Sequence, residues 1–194
     1  DLSAVGPQPI DPEAPFADWL QGGMAGRETT DAAITDAVEH GIDLLSRGGV
    51  VAVGDIAGCP PTGLSAAAPL TLARSGLAGV SFAEFFAIGS SAAARFATFD
   101  AFTRDLHGRW PEDSNASLGL SPHAPYSVGR RSYGAARALA SDLGVALCTH
   151  LAESLEERRF IAEANGPQVE MLRAWGLWDD AIERDIGQGR HPIE

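Results

Sequence analysis

Hydrophobic positions along this chain change repeatedly between the spacing of a helix and the short unbroken runs of a buried strand. From 34 to 45 they recur at helical intervals, as Ile34, Ala37, Val38, Gly41, Leu44 and Leu45. This stripe predicts an amphipathic helix that begins at Thr30-Asp31 and ends at Gly48-Gly49. The apolar run at 50–53 that follows it predicts a short buried strand.

The same alternation continues along the rest of the chain. Further strands are predicted at 80–88, 117–121 and 145–149, and helices at 16–24, at 70–74, after Ser91, at 130–143 and beyond Ser154. The Gly- and Pro-rich stretch 54–63 is predicted to be a strand-to-helix loop, where Asp55 and Cys59 could approach a site, although neither is assigned to it. Four strands separated by helices require right-handed crossovers and a parallel sheet. The periodicity therefore predicts an α/β fold and is compatible with both a barrel and a doubly wound sheet.

Composition and charge narrow the classes of function. Of the 194 residues, 45% are hydrophobic and 21% are charged, which is enough apolar material for a core. No apolar run approaches the ~20 residues needed to cross a bilayer, so no membrane partner is expected. The formal charge of -12, from 14 basic and 26 acidic residues, argues against nucleic acid as a partner. Cys59 and Cys148 form no Cys-x-x-Cys motif, and we expect a cytoplasmic protein. The partner that we expect is a small-molecule substrate.

Two histidine motifs carry the candidate chemistry. The first is Ser121-Pro122-His123-Ala124-Pro125-Tyr126-Ser127, and the second is Thr149-His150-Leu151-Ala152-Glu153-Ser154. Both follow predicted strands, and the loops at the carboxyl ends of parallel strands are where α/β folds build active sites. A neutral imidazole is a common ligand for a divalent metal, and a nearby carboxylate can exchange protons with activated water. His150 and Glu153 fit these two roles and predict a metal-dependent hydrolase.

Each of these residues also has a plainer explanation. His150 could be a hydrogen-bonded histidine at the sheet edge, and Glu153 could be a first-turn carboxylate that interacts with a helix dipole. His123 could be a loop residue held rigid by the prolines on either side. Glu156 and Glu157 are expected to be solvated or to stabilise the helix dipole, and no chemistry is assigned to them.

Together the two motifs resemble the amidohydrolase superfamily. The run 119–128, and then 148–154 with Glu156-Glu157-Arg158 behind it, is most similar to the chlorohydrolase and nucleoside deaminase branch. That branch includes adenosylhomocysteine, guanine and aminodeoxyfutalosine deaminases. The resemblance extends to about Trp178, and 1–4 is similar to the stretch after the first metal-binding strand of the family. It implies a partial (β/α)8 TIM-type barrel with about four strand-helix units.

The resemblance also implies roles for individual residues. His150 matches the metal-binding histidine at the end of the fifth barrel strand. Glu153 matches the glutamate that shuttles protons between the attacking hydroxide and the leaving amine. His123 matches a histidine after the fourth strand that contacts the substrate, and we assign it to both catalysis and substrate binding. Tyr126 is assigned to substrate binding, although a packing role fits equally well. One divalent metal is expected, zinc in preference to iron or manganese.

Other residues that the family needs are not found in the sequence. There is no His-x-His pair for the first strand, and His40, His107 and His191 are in the wrong contexts for the later ligands. We therefore expect residues 1–194 to form a single incomplete barrel domain, an internal fragment without the first metal-binding strand and the later strands. A complete barrel usually needs roughly 250 residues. A half barrel has unpaired strand edges, and these edges could pair with a second copy of the chain. A homo-oligomer is therefore possible.

The functional hypothesis for the intact enzyme is hydrolysis of a non-peptide carbon-nitrogen bond, as deamination of a purine- or nucleoside-like amine. The sequence does not determine the substrate, because the loops that set specificity are largely outside this segment. One alternative is a catalytically inactive remnant or scaffold half barrel that holds no metal. Another is a non-metal α/β binding domain, which would be favoured if His123 and His150 lay far apart. The isolated chain is expected to be inactive.

Overall fold

The computed structural model describes residues 29–57 and 63–193, and within them helices and strands alternate. The helices and strands are, in chain order, α1 (Asp31–Arg47), β1 (Ala52–Ala57), α2 (Ala67–Arg74), β2 (Ala78–Phe85), α3 (Ala92–Gly108), β3 (Ala116–Pro122), α4 (Arg130–Leu143), β4 (Ala146–Leu147), α5 (Leu155–Glu163), α6 (Pro167–Ala174) and α7 (Asp180–Asp185). The predicted helix at 16–24, the segment 1–4 and Cys59 lie outside the described residues.

The four described strands form one parallel sheet in the order β1-β2-β3-β4. Each strand therefore pairs with the strand that precedes it in the chain, and a helix crosses over between the two. A doubly wound sheet reverses its strand order at a switch point, whereas a barrel adds strands in sequence. The order seen here has no reversal, and it confirms the predicted α/β fold with about four strand-helix units in the manner of a barrel.

Local sequence signals set several of the helix ends. Thr30 caps α1, because its hydroxyl accepts a hydrogen bond from the backbone N–H of Ala33 at 3.3 Å. Helix α4 ends at Gly144, whose φ of 67° places it in the left-handed conformation that glycine adopts readily. Both helices therefore begin and end where the sequence predicted.

Two apolar clusters hold the site in place. The first lies between the sheet and helices α2 to α4, where the rings of Phe85 and Phe99 stack with their centroids 4.3 Å apart. The second packs helices α5 to α7 around the loop after β3, with Tyr126 and Phe160 fully buried in it. None of the helices in the described part of the chain has the length and apolarity that crossing a bilayer requires.

The prediction for the segment around β1 was wrong. The strand runs over Ala52–Ala57, so Asp55 lies inside it and not in a loop that begins at Gly54. Asp55 is almost fully buried, and its Oδ2 accepts a hydrogen bond from the Ser81 hydroxyl at 3.3 Å. The strand continues past Gly54 and Asp55 because the neighbouring strand packs against it and donates a hydrogen bond to the buried carboxylate.

The close approach of β1 and β2 depends on Gly79. This residue pairs with Val53, and its φ of +148° is a conformation that side chains disfavour. A Cβ added at this position would overlap the carbonyl oxygen of Val53. The strands therefore cannot keep their spacing if Gly79 carries a side chain.

We predict that Gly79→Ala lowers the free energy of unfolding by about 3 kcal/mol, because it combines backbone strain with a clash against main-chain atoms. Gly134→Ala is the matched control, since Gly134 lies within α4 and a Cβ there meets nothing within 4 Å. That change should raise the free energy of unfolding by roughly 0.5–1 kcal/mol. Urea titration followed by circular dichroism measures both, and equal stability of the two variants would contradict the prediction.

Candidate active site

Three side chains meet at the carboxyl-terminal edge of the sheet. Glu84 is the penultimate residue of β2, His123 directly follows β3, and His150 follows β4 after a short extended segment. Backbone hydrogen bonds continue the ladder past the strand ends. The N–H of His123 donates to the carbonyl of Phe85 at 3.2 Å, and the N–H of His150 donates to the carbonyl of His123 at 2.8 Å. These bonds fix the three residues side by side.

The two predicted histidines are close together. Their ring centroids are 5.1 Å apart, and one ligand atom from each of Glu84, His123 and His150 lies within 4.8 Å of the other two. His123 is buried, whereas the side chain of His150 is 36% exposed. Two imidazoles and a carboxylate around an open position form the kind of donor set that catalytic zinc sites use. These three residues could therefore hold a divalent ion.

Glu84 was not identified from the sequence. Phe85 faces the helical core, so Glu84, one position earlier in the strand, faces the opposite side of the sheet. It is 5% exposed, and its Oε1 has no hydrogen-bond partner among the described residues. That oxygen lies 3.4 Å from Nε2 of His150, and the carboxylate raises the pKa of His150. The sequence feature that could have identified Glu84 is that it is the one acidic residue in the apolar run 80–88.

The ring of His123 is held by contacts with two neighbouring side chains. Its Nδ1 lies 2.6 Å from Oγ of Ser127, and the Ser127 hydroxyl donates to the carbonyl of Ala124 at 3.1 Å. When the Ser127 hydroxyl donates to Ala124, the ring proton of His123 lies on Nδ1. In that tautomer Nε2 carries the lone pair, as a ligand or hydrogen-bond acceptor requires. The ring also contacts Phe86, with centroids 4.6 Å apart.

Glu153 lies on the other side of His150. Its Oε1 is 3.7 Å from Nδ1 of His150, and its Oε2 accepts a hydrogen bond from the Tyr126 hydroxyl at 3.0 Å. The side chain of Glu153 is 28% exposed, so one edge of the carboxylate remains accessible to solvent. Tyr126 itself is buried, which agrees with the packing role, and its hydroxyl is directed at Glu153.

Glu157 was expected to be solvated or to stabilise the helix dipole, and of these two alternatives solvation is wrong. This side chain is fully buried, and its two carboxylate oxygens accept hydrogen bonds from the backbone N–H groups of Ala152 and Glu153 at 2.9 and 3.0 Å. Burial raises the pKa of Glu157, while the two backbone donors act in the opposite direction. Glu156, its neighbour, is only half-buried, because adjacent positions on a helix face different sides.

A separate groove of about 450 Å³ lies between α1 and α2. Its charged lining residues, Asp31, Glu39, Arg74 and Arg109, are exposed, and it includes none of the histidines or carboxylates described above. We assign no chemistry to it, because exposed charges of mixed sign are ordinary on a helical surface.

Known proteins with similar sequences are deaminases. The 5-methylthioadenosine/S-adenosylhomocysteine deaminases of two Nitratidesulfovibrio vulgaris strains, DP4 and Hildenborough, are each 29% identical over 166 residues. The match covers 79% of this chain and 34% of each relative, so the chain spans about a third of their length. No family model matches the sequence.

Solved structures agree with the sequence relatives. Helicobacter pylori aminofutalosine deaminase superimposes with a TM-score of 0.67 at 26% identity, covering 87% of this chain and 38% of that one. The chain is homologous to amidohydrolase-superfamily deaminases. This confirms both the family resemblance and the partial TIM-type barrel.

Two further structures of such deaminases match. The Helicobacter pylori enzyme in complex with methylthio-coformycin gives a TM-score of 0.65 at 26% identity, covering 86% of this chain and 38% of that one. An adenosine deaminase from Xanthomonas campestris, described with bound zinc, gives a TM-score of 0.62 at 23% identity. The match covers 87% of this chain and 38% of that one. The second likeness concerns the fold alone.

The tyrosines of this deaminase homologue provide a test of the site's burial. The sequence contains two, Tyr126 and Tyr133, and the Tyr133 hydroxyl lies 3.0 Å from that of Thr149 beside His150. Burial raises the pKa of Tyr133 to about 12. Burial and the Glu153 carboxylate raise the pKa of Tyr126 well above its ordinary value.

We predict that neither tyrosine ionises in the folded chain at pH 10, where a free tyrosine is about half ionised. Above that pH the unfolded chain loses protons that the folded chain keeps, so the free energy of unfolding falls as the pH rises. Phenolate absorbance measured with and without urea tests this. Half-ionised tyrosine at pH 10 without urea, with circular dichroism unchanged, would contradict the described burial.

Proposed function

We propose that the protein containing this chain is a metal-dependent amidohydrolase that removes an amino group from a purine- or nucleoside-like substrate. The observation that carries the proposal is the meeting of Glu84, His123 and His150 at one point of the sheet edge, with Glu153 directly beside them. The reaction is hydrolysis of a carbon-nitrogen bond other than a peptide bond.

The donor set supports a metal at this point. His150 is the ligand that the sequence predicts, and Glu84 and His123 offer an oxygen and a nitrogen atom within reach of the same position. The buried Oε1 of Glu84, which has no hydrogen-bond partner among the described residues, would gain an ion as its ligand partner. When bound, a divalent ion would supply Lewis-acid activation of water. We favour zinc, although this mixture of nitrogen and oxygen donors also suits iron and manganese.

Glu153 is proposed to move the proton. Water adds to the sp2 carbon that bears the amino group, Glu153 receives a proton from that water, and the same carboxylate protonates the nitrogen as the carbon-nitrogen bond breaks. Ammonia leaves and the carbon keeps the oxygen. The bond from Tyr126 holds Oε2 of Glu153, while Oε1 faces His150. One carboxylate oxygen is thus fixed while the other faces the proposed reaction centre.

His123 is proposed to orient the substrate ring. Its buried position against Phe86 limits ring rotation, and in the tautomer with the proton on Nδ1 the Nε2 atom is an acceptor or ligand. Tyr126 remains a proposed substrate-side residue, although its hydroxyl is bonded to Glu153 and would influence the substrate through that carboxylate. Both roles are compatible with the geometry around His150.

The names of the relatives support the substrate class. They act on 5-methylthioadenosine and S-adenosylhomocysteine in one case and on aminofutalosine in the other. Methylthio-coformycin, bound to the second, is a further small-molecule ligand of this type. We therefore propose a small-molecule substrate and choose purine nucleosides as the first compounds to screen.

An inactive scaffold is the second candidate. It is favoured by one sequence observation, the lack of any His-x-His pair in the 194 residues. A non-metal binding domain would be favoured if His123 and His150 lay far apart. Their ring centroids are only 5.1 Å apart, so the structure does not favour that alternative. The experiments below separate a metal-dependent enzyme from a scaffold without metal.

In the full-length protein, we predict that Glu153→Gln reduces kcat by at least about 100-fold, because the amide cannot accept and return the proton. Metal content should be unchanged, since Glu153 is not a proposed ligand. Ammonia release from purine nucleosides and metal analysis by mass spectrometry measure the two effects. Glu112→Gln is the control, as this carboxylate is exposed and away from the site. Full turnover in Glu153→Gln would remove the proton-shuttle role.

We predict that His150→Ala abolishes metal binding and that Glu84→Gln weakens it by about 10- to 100-fold, because each removes or neutralises a donor of the cluster. His40→Ala, which changes an exposed histidine on α1, should leave affinity unchanged. Zinc titration calorimetry of the full-length protein gives the affinities. Unaltered affinity in both site variants, or no binding by the wild type, would favour the scaffold.

A further inference from the structure

We propose that Glu157 is the positioning residue that holds the Glu153 carboxylate in place beside His150. The proposal rests on the function proposed above, in which Glu153 transfers the proton. Glu157 itself does not reach the cluster formed by Glu84, His123 and His150. It acts through the backbone of the loop between β4 and α5.

The contact is a fork of two hydrogen bonds. Oε1 of Glu157 accepts from the N–H of Ala152 at 2.9 Å, and Oε2 accepts from the N–H of Glu153 at 3.0 Å. Bonds from backbone donors to an ionised carboxylate are among the stronger hydrogen bonds in proteins. The side chain is completely buried, so water does not compete for either bond. The two amides are therefore fixed relative to the start of α5.

The loop that Glu157 holds has an unusual backbone. Ala152 has a φ of +58°, in the left-handed region that residues with a side chain rarely adopt. Such a conformation persists where the surrounding structure determines it. Here the fork from Glu157 holds the amide of Ala152 and the next one along the chain. The turn at Ala152 sets the direction in which Glu153 leaves the loop.

The position of Glu157 in α5 differs from an ordinary capping box. Ser154 caps the helix and accepts a hydrogen bond from the N–H of Glu157 at 3.2 Å, as expected for Ser-x-x-Glu. In a capping box the glutamate returns to the N–H of the cap residue itself. Glu157 instead reaches the two residues before the cap, which include the proposed proton carrier. Ser154 and Glu157 together therefore connect helix α5 to the catalytic loop.

Glu153 is thus held from both ends. Its backbone is fixed by Glu157, and its carboxylate is fixed by the Tyr126 hydroxyl at 3.0 Å. The remaining oxygen lies 3.7 Å from Nδ1 of His150. Releasing the backbone would let the carboxylate move away from His150, and displacements on the order of 1 Å can reduce a rate about 100-fold.

The test is Glu157→Gln in the full-length protein. The amide has nearly the same shape but only one oxygen, so one of the two backbone donors loses its acceptor. We expect hydrogen exchange of the peptide covering 151–154 to accelerate about tenfold or more, and kcat to fall about 10- to 100-fold. KM should stay within about twofold and metal content should not change, because substrate and metal contacts remain.

Glu156→Gln is the matched control, one position away and half-buried. It should change neither exchange nor kcat. Unchanged exchange in Glu157→Gln would overturn the proposal, and so would faster exchange with an unchanged kcat. A purely structural role would instead alter KM, metal content and exchange across α5 together. If the wild type has no deaminase activity, the proposed function fails, and the exchange measurement still decides whether Glu157 holds the loop.

Discussion

The candidate site depends on the parallel register of β2, β3 and β4. Parallel neighbours end at the same edge of a sheet, and the backbone bonds beyond the strands extend that alignment to His123 and His150. A shift of β2 by one residue would exchange Glu84 with Phe85, removing the carboxylate from the site and an aromatic ring from the core. The packing of Phe85 against Phe99 opposes such a shift. The hydrophobic core therefore fixes the donor set on the other face.

The sequence predicted much of this arrangement, for physical reasons. Helix α4 and the two histidines could be predicted because apolar periodicity locates the helices and strands. The residues that follow parallel strands then lie at the same edge of the sheet. Glu84 was missed because a carboxylate in an apolar run gives no indication of the face it occupies until the register is known. The burial of Glu157 was missed because it depends on the left-handed turn at Ala152, which the hydrophobic pattern does not reveal. Glu84 meets residues distant in sequence, whereas Glu157 bonds to residues only four and five positions earlier.

Carboxylates flank His150 on both sides of its ring. Glu84 lies on the Nε2 side of the ring and Glu153 on the Nδ1 side, and these two together with Glu157 raise the pKa of His150. A metal needs the neutral imidazole, so a proton and a divalent ion compete for the same ring. Carboxylates that stabilise one positive charge stabilise two more strongly. The proposed ion would therefore have to displace the proton whose binding these carboxylates favour.

The described helices behind the site would matter to the proposed chemistry, although none of them supplies a donor to the cluster formed by Glu84, His123 and His150. Tyr126, which holds the Glu153 carboxylate, belongs to the apolar cluster of α5 to α7, and Glu157, which holds the Glu153 backbone, lies in α5. Both supports of one carboxylate thus come from the same packed unit. A change that loosens this packing would move Glu153 relative to His150, whose own position is set by the sheet. The geometry of the proposed proton transfer therefore depends on how α5 to α7 dock against the loop after β3.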